Sequence, residues 1–224
     1  MKPRIFFTGG SGLLALNWAR CIRNTHLVTL GLHKRKIHLK GAIAKEIDLS
    51  SVNAIEKEIE LLQPDFLVHT VALTDVDKCE HDPALAYEVN VSLALKVAKA
   101  CAQLGVQLVH ISTDQLFSGD WPLVNESMRV NPLNTYGCTK AEAEFGVLAS
   151  YPSALVVRTN FYGWGTSYRT SFSDFVIQGL RKGRILNLYE DVFYTPILID
   201  SLVIVIHELI KQRVSVQQKK LSSE

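Results

Sequence analysis

The chain opens with a strand, a glycine turn and a helix in immediate succession, and few folds use that order. Lys2-Pro3-Arg4-Ile5-Phe6-Phe7-Thr8 is a short apolar strand, Gly9-Gly10-Ser11-Gly12 breaks it, and Leu13 to Asn24 has the apolar spacing of a helix. Gly9 and Gly12 permit a tight turn and let a pyrophosphate approach the backbone through Gly10 and Ser11. The helix start at Leu13 and Leu14 then offers unpaired amides to its charge. Ala15 is small enough for close helix–strand packing. A tight turn without a ligand would use the same glycines, so the strand before and the helix after carry the nucleotide reading.

The alternation continues. His26–Leu32 and Asp65–Leu73 read as strands, the second entered through Gln63-Pro64. Asp82-Pro83 starts a helix with a capping carboxylate and Pro at the first helical position, and Gly105 stops it. Val106–Ser112 is a nearly unbroken apolar strand, as in a parallel sheet covered on both faces. Thr135–Ala149 is a helix, Ala154–Arg158 a strand, and Ser171–Lys182 a helix closed by Gly183. This order predicts an α/β fold with a doubly wound parallel sheet. The length, 224 residues, fits one domain or one with a small appendage. A composition of 47% hydrophobic and 21% charged residues excludes a chain disordered throughout. Apolar runs such as Leu202–Ile206 fall short of the ~20 residues of a membrane span, and the short apolar strand after Met1 lacks the pattern expected of a signal peptide. Cys21, Cys79, Cys101 and Cys138 lie far apart without a CxxC pair, which predicts reduced thiols, no metal site and a cytoplasmic setting. His69, His81 and His110 lack metal-ligand spacing and read as core or surface residues. The polar tail Lys211–Glu224 is expected to fray.

Charge is unevenly spread. Residues 1–45 hold nine Lys/Arg and no acid, although the net charge of the whole chain is only +2. Such a segment suits nucleic acid, a transit peptide or an anionic ligand. The glycine turn is not needed by a transit peptide, and the basic loop lacks the interleaved aromatics of a nucleic-acid surface. At the end of the second strand, an NAD site usually offers a carboxylate to the ribose. Here Gly31-Leu32-His33-Lys34-Arg35-Lys36 offers cations instead. His33, Lys34 and Arg35 therefore favour NADP(H), with NAD(H) possible; a solvated basic loop is the alternative.

Tyr136-Gly137-Cys138-Thr139-Lys140 puts a phenol and an amine four apart on one helix face. A nearby ammonium lowers a phenol's pKa and suits it to acid–base work. A YxxxK sequence also occurs on ordinary surface helices. Its company gives it weight: Ile111-Ser112-Thr113-Asp114 ends a buried strand at the sheet edge where α/β ligands bind. There Thr113 and Asp114 become candidate substrate contacts.

Ser112-Thr113-Asp114-Gln115-Leu116-Phe117-Ser118-Gly119 and Asn134-Thr135-Tyr136-Gly137-Cys138-Thr139-Lys140, with the glycine turn, resemble the extended short-chain dehydrogenase/reductases, and within them the dTDP-4-dehydrorhamnose reductase family. The likeness runs from the first strand to about residue 210. It implies a Rossmann fold and nicotinamide-dependent reduction of a 4-keto nucleotide sugar. It also implies Tyr136 as proton donor, Lys140 as its partner and ribose ligand, and Thr113 as the hydroxyl beside the carbonyl. Asp48-Leu49 resembles the pair bordering the adenine, and Val71-Ala72-Leu73 the strand end lining the cofactor. Asn90 matches a position that organises the active site, or is a plain polar helix residue.

Two departures stand out. Phe161 in Arg158-Thr159-Asn160-Phe161-Tyr162-Gly163 stands where rhamnose-type reductases tend to carry Trp, so the sugar stays open. The family chain also continues past residue 224. Residues 1–158 are expected to hold the dinucleotide and 159–210 to form part of a substrate lobe. Phe193-Tyr194-Thr195-Pro196 resembles the approach to that lobe. The apolar arc of Leu202, Val205, Ile206 and Leu209 is expected to lie exposed and favour a homo-oligomer. Trp18, Trp121 and Trp164 read as packing residues, the last two also as neighbours of a sugar pocket. Among rival functions, a dehydratase tends to carry Asp-Glu after the Ser/Thr, whereas Asp114-Gln115 stands here. An epimerase and a non-catalytic binding or regulatory subunit remain as alternatives.

Overall fold

Apolar side chains alternate along the central strands with a period of two, and each set is covered by its own layer of helices. In the computed structural model, which describes residues 1–190, 192 and 194–221, Asp191, Phe193, Ser222, Ser223 and Glu224 lie outside the description. Strands β1 (Arg4–Phe7), β2 (Leu27–Leu32), β3 (Ile43–Glu46), β4 (Phe66–His69), β5 (Gln107–Ile111) and β6 (Leu155–Val157) form one sheet in the order β3-β2-β1-β4-β5-β6. Every pairing is parallel. This is the doubly wound order in which the chain reverses direction beside β1 and leaves a crevice at the carboxyl edge.

Ile5, Phe7, Leu30, Val68 and Val109 face one side, where α1 (Leu13–Ile22) and α8 (Ile199–Leu221) bury Trp18, Leu202 and Ile206 against them. Phe6, Leu67 and Leu108 face the other side, beneath α2 (Val52–Leu62), α5 (Leu93–Leu104) and α6 (Thr135–Ser150). β3 and α2 were not read from the sequence. β3 is a short edge strand of mixed polarity, and the sign of α2 is local: Ser51 caps it by accepting from Ala54 N at 3.1 Å.

Four expectations change. The strand read over Asp65–Leu73 ends at His69, because the chain leaves the ladder there and Thr70, Val71, Ala72 and Thr74 line the crevice. The helix read over Pro83–Gly105 is interrupted. It runs as α4 (Pro83–Tyr87), a π-helical turn (Glu88–Ser92) and α5, after a short α3 (Val76–His81). Asn90 in that turn is 1% exposed; its Oδ1 accepts from Leu73 N at 2.8 Å and its amide donates to Thr139 Oγ1 at 3.0 Å. Such bulges concentrate at functional sites, and here the turn ties the loop after β4 to α6. The tail from Lys211 is not a separate segment but the last part of a helix. α8 continues to Leu221, and Arg213 donates to the carbonyls of Ser153 and Ala154, both at 2.8 Å. Finally, half of the arc expected to be exposed on α8 is core: Leu202 and Ile206 are 4% and 0% exposed, while Val205 and Leu209 lie on the outer face with Ile204.

Beyond β6 the chain builds a second, two-stranded parallel sheet from β7 (Phe161–Tyr162) and β8 (Ile197–Leu198), with α7 (Phe172–Arg181) between them in the chain. Ser171 and Asp174 cap α7 reciprocally. Among the described residues, no helix is long and apolar enough to cross a membrane, and no group of His, Cys, Asp or Glu has metal-binding geometry.

A candidate dinucleotide cleft and its catalytic side chains

The parallel strands end along one edge, and the residues immediately after β1, β4 and β5 turn away from the ladder there. They enclose a cleft of about 520 Å³, within the size range of small-molecule sites.

One wall is the glycine turn. Gly9, Ser11, Gly12, Leu13, Leu14 and Ala15 line the cleft. A Cβ on Gly9 would lie 2.7 Å from Thr70 Oγ1, so only a bare backbone fits between β1 and the loop after β4. Gly10 plays a different part from the one expected. It faces away from the cleft, where a Cβ would lie 2.6 Å from Leu30 Cβ, and its N–H donates to Gly31 O at 2.8 Å. The N-cap of α1, Gly12, contributes no side-chain bond, and the first turn holds no acid. The first-turn amides of Leu13, Leu14 and Ala15, residues that line the cleft, therefore have no side-chain cap, the arrangement that binds an anion. A bare glycine cradle, uncapped amides and no carboxylate at the end of β2 together fit a dinucleotide.

The opposite wall comes from β5 and α6. Thr113, Asp114, Tyr136 and Lys140 meet there with Ser112 and Gln115. Lys140 is 2% exposed and its Nζ donates to Ile111 O at 2.7 Å. Burial lowers its pKa to about 8, with Glu144 opposing. The reading that Lys140 depresses the Tyr136 phenol does not hold. Burial pushes that pKa up, Asp114 adds to the rise, and the Thr113 hydroxyl works against it. Desolvation of the phenolate outweighs any help from Lys140, so Tyr136 carries its proton at neutral pH. Asp114 is held by Asn160 Nδ2 at 3.0 Å, and Thr113 Oγ1 accepts from Gln115 N at 3.2 Å.

Val71, Ala72, His33 and Phe161 also line the cleft. Leu73 does not; its backbone is held by Asn90. Asp48 and Leu49 lie outside the lining, and Asp48 instead accepts from Ser50 N at 2.9 Å. Lys34 and Arg35 are exposed beside the cleft, with the Arg35 guanidinium 4.2 Å from the centre of the Tyr168 ring. Neither Trp121 nor Trp164 lines the cleft, and both rings are largely exposed, because the loops that carry them turn the rings outward; Trp18 is fully buried.

Several lining residues were not read from the sequence: Thr8, Thr70, Thr74, Thr159, Asn160 and the run Arg169–Phe172. The threonines and Asn160 follow strand ends, a positional signal that could have flagged them. Arg169 and Thr170 lie on a distant loop with no local mark, and Ser171 and Phe172 open α7, a helix the sequence marks without showing what its start faces. Behind Lys140, His69 and His110 form a register pair on β4 and β5, each 1% exposed, with rings stacked at 5.5 Å. His69 Nδ1 shares a hydrogen bond with Thr8 Oγ1 at 2.9 Å, while both nitrogens of His110 are buried without a partner. Burial first, and Lys140 second, hold His69 down at about 3 and His110 well below the usual imidazole range.

Known proteins resemble the chain in sequence and in fold. The chain is 29% identical over 217 residues to the dTDP-4-dehydrorhamnose reductase of Sinorhizobium fredii, covering 95% of this chain and 68% of that protein. It is 33% identical over 155 residues to methionine adenosyltransferase 2 subunit beta of Bos taurus, 69% of this chain and 46% of that protein. The solved dTDP-4-dehydrorhamnose reductase of Bacillus anthracis in complex with NADP superposes with a TM-score of 0.78 at 26% identity, covering 94% of this chain and 71% of that one. The chain thus spans about half to seven-tenths of these relatives. The profile of the RmlD substrate binding domain family covers residues 2–222, and with a glycine cradle, a buried lysine and a tyrosine gathered at one sheet edge, the chain belongs to that family.

Proposed function

We propose that the protein is an NADP(H)-dependent oxidoreductase that reduces a 4-keto nucleotide sugar. The carrying observation is the convergence of Tyr136, Lys140 and Thr113 on the cleft that the glycine turn opens. Residues 1–158 hold the dinucleotide, and 159–210 supply part of the sugar-nucleotide site, with Asp114 and Phe161 at its border. NAD(H) is accepted less well.

A bound NAD(P)H supplies the hydride. The protein's task is then to hold the carbonyl, exclude water and deliver one proton to the oxygen. Thr113 positions the carbonyl oxygen, and Tyr136 gives it the phenolic proton. A phenol whose pKa is raised by burial stays loaded for that donation. Lys140, with a pKa of about 8, gains and loses a proton near neutrality and restores the phenol. Its hydrogen bond to Ile111 O fixes the amine beside the strand end. The setting is cytoplasmic, in keeping with four free cysteines. Self-association through the remaining outer patch of Ile204, Val205 and Leu209 belongs to the same proposal.

The test mixes the protein with NADPH and a panel of 4-keto nucleotide sugars and follows NADPH absorbance. Turnover on at least one of them is expected. A second reading, a binding subunit without turnover, is favoured by the bovine relative, which is named as a subunit of another enzyme. Tight NADPH binding with no oxidation across the panel would select it. Interconversion of sugar epimers without net NADPH loss would select an epimerase.

A further inference from the structure

Residues 163–171 form a strap from the second lobe to the glycine turn. Thr166 and Arg169 pair as a tight antiparallel bridge, with N–H to O distances of 2.9 and 3.2 Å. The strap's base is fixed. Gly165 N donates to Asp174 Oδ2 at 2.7 Å, and Asn17 Nδ2 donates to Trp164 O at 2.9 Å. At its tip, the Tyr168 hydroxyl donates to Ser11 O at 2.8 Å, in the turn where a pyrophosphate would sit. The other face of the contact is Arg35, whose guanidinium carbon lies 4.2 Å from the Tyr168 ring centre. Among the described residues Arg35 forms no ion pair.

The geometry points to Tyr168 as a specificity-determining residue for the cofactor, through two separable contacts. This rests on the NADP(H) reading above. The ring is a platform: a guanidinium held over an aromatic face keeps its in-plane N–H donors free for a phosphate. A long side chain at the end of β2 would otherwise sample many rotamers, and the platform removes most of that freedom before the 2′-phosphate arrives. The hydroxyl is a latch. Its bond to Ser11 O closes the strap against the pyrophosphate turn and slows release of either cofactor, phosphorylated or not.

Three variants separate the contacts, each read by calorimetry and by stopped-flow release of NADPH and NADH. Tyr168→Ala removes platform and latch, and should lower the NADPH:NADH affinity ratio by about 2- to 5-fold, the size of an exposed cation–π contact. Tyr168→Phe keeps the ring and should preserve the ratio, while releasing both cofactors about 2- to 10-fold faster, the size of one net hydrogen bond. In an Arg35→Ala background, Tyr168→Ala should leave the ratio unchanged, since the platform then has nothing to hold. A wild-type ratio retained in Tyr168→Ala, with the native preference for NADPH intact, overturns the inference alone. A native protein that binds both cofactors equally overturns the cofactor reading and this inference with it.

Discussion

Replacing His110 by Phe should change how stability depends on pH by the equivalent of one proton. His110 and His69 are buried side by side and neutral in the folded protein, with His69 held at about 3 and His110 also depressed. In the unfolded chain each imidazole titrates near 6.5. The folded pKa is the lower one, so below pH 6.5 the unfolded state binds a proton that the folded state refuses. Stability is therefore lost as pH falls from 6.5, and continues to fall until the folded pKa is reached. Between pH 6 and 5 an unfolded imidazole goes from about three-quarters to nearly full protonation, which costs about 1.2 kcal/mol of stability per buried histidine over that unit. The pair contributes about 2.4 kcal/mol, a large share of the 5–15 kcal/mol typical of a domain. The window lies above the range where most carboxylates titrate. His26 and His207, also lowered by burial, act alike in both proteins and cancel in the difference. The assay is urea unfolding at half-unit intervals from pH 6.5 to 5. His110→Phe keeps a ring against His69 and removes two buried nitrogens that lack partners. Its stability should fall less steeply by about 1.2 kcal/mol per pH unit. Equal slopes in the two proteins would show that His110 takes up the same number of protons folded and unfolded, and would refute the burial argument.

Tyr136→Phe should bind NADPH nearly as the native protein does and turn over ~10²-fold more slowly or worse, the size of a positioned acid–base contribution; steady-state rates alongside calorimetry check both halves. Gly10→Ala brings a Cβ to 2.6 Å from Leu30 Cβ and 2.8 Å from its Cα. The clash with strand backbone should cost about 1–3 kcal/mol, visible as a drop of several degrees in Tm. Glu144→Gln removes the carboxylate that Arg158 grips through Nε and Nη2 at 2.9–3.2 Å, with Glu144 5% exposed. A loss of about 1–3 kcal/mol in urea unfolding is expected, because a partly buried guanidinium keeps its charge and loses its partner. Light scattering of the native protein and of Val205→Lys should show any oligomer shrinking in the variant; an unchanged oligomer would place its interface elsewhere than the outer face of α8.

The parts of this protein legible from sequence are those with local causes. A glycine turn after an apolar strand announces itself because the backbone there admits no side chain, and Gly9 bears this out with a Cβ that would strike Thr70. The strand–helix alternation was legible because each strand's burial on two faces writes an apolar run. Tyr136 and Lys140 were legible because a helix puts residues four apart on one face. Contacts between distant segments decided the rest. Periodicity marked an apolar face on α8 but not its partner, and only packing on α1 showed that Leu202 and Ile206 are core. The tyrosine's proton affinity depended on burial, a property of everything packed around it, and burial reversed the effect expected from Lys140. Asn90 gained its role when a π-helical turn aimed it at Leu73 and Thr139, 17 and 49 residues away. Tyr168 lies 157 residues from Ser11, so no window of sequence could bring the two together. Backbone sterics and helical or strand periodicity act over a few residues and leave a pattern in the chain, whereas desolvation and long-range contact exist only once the sheet edge has gathered its loops.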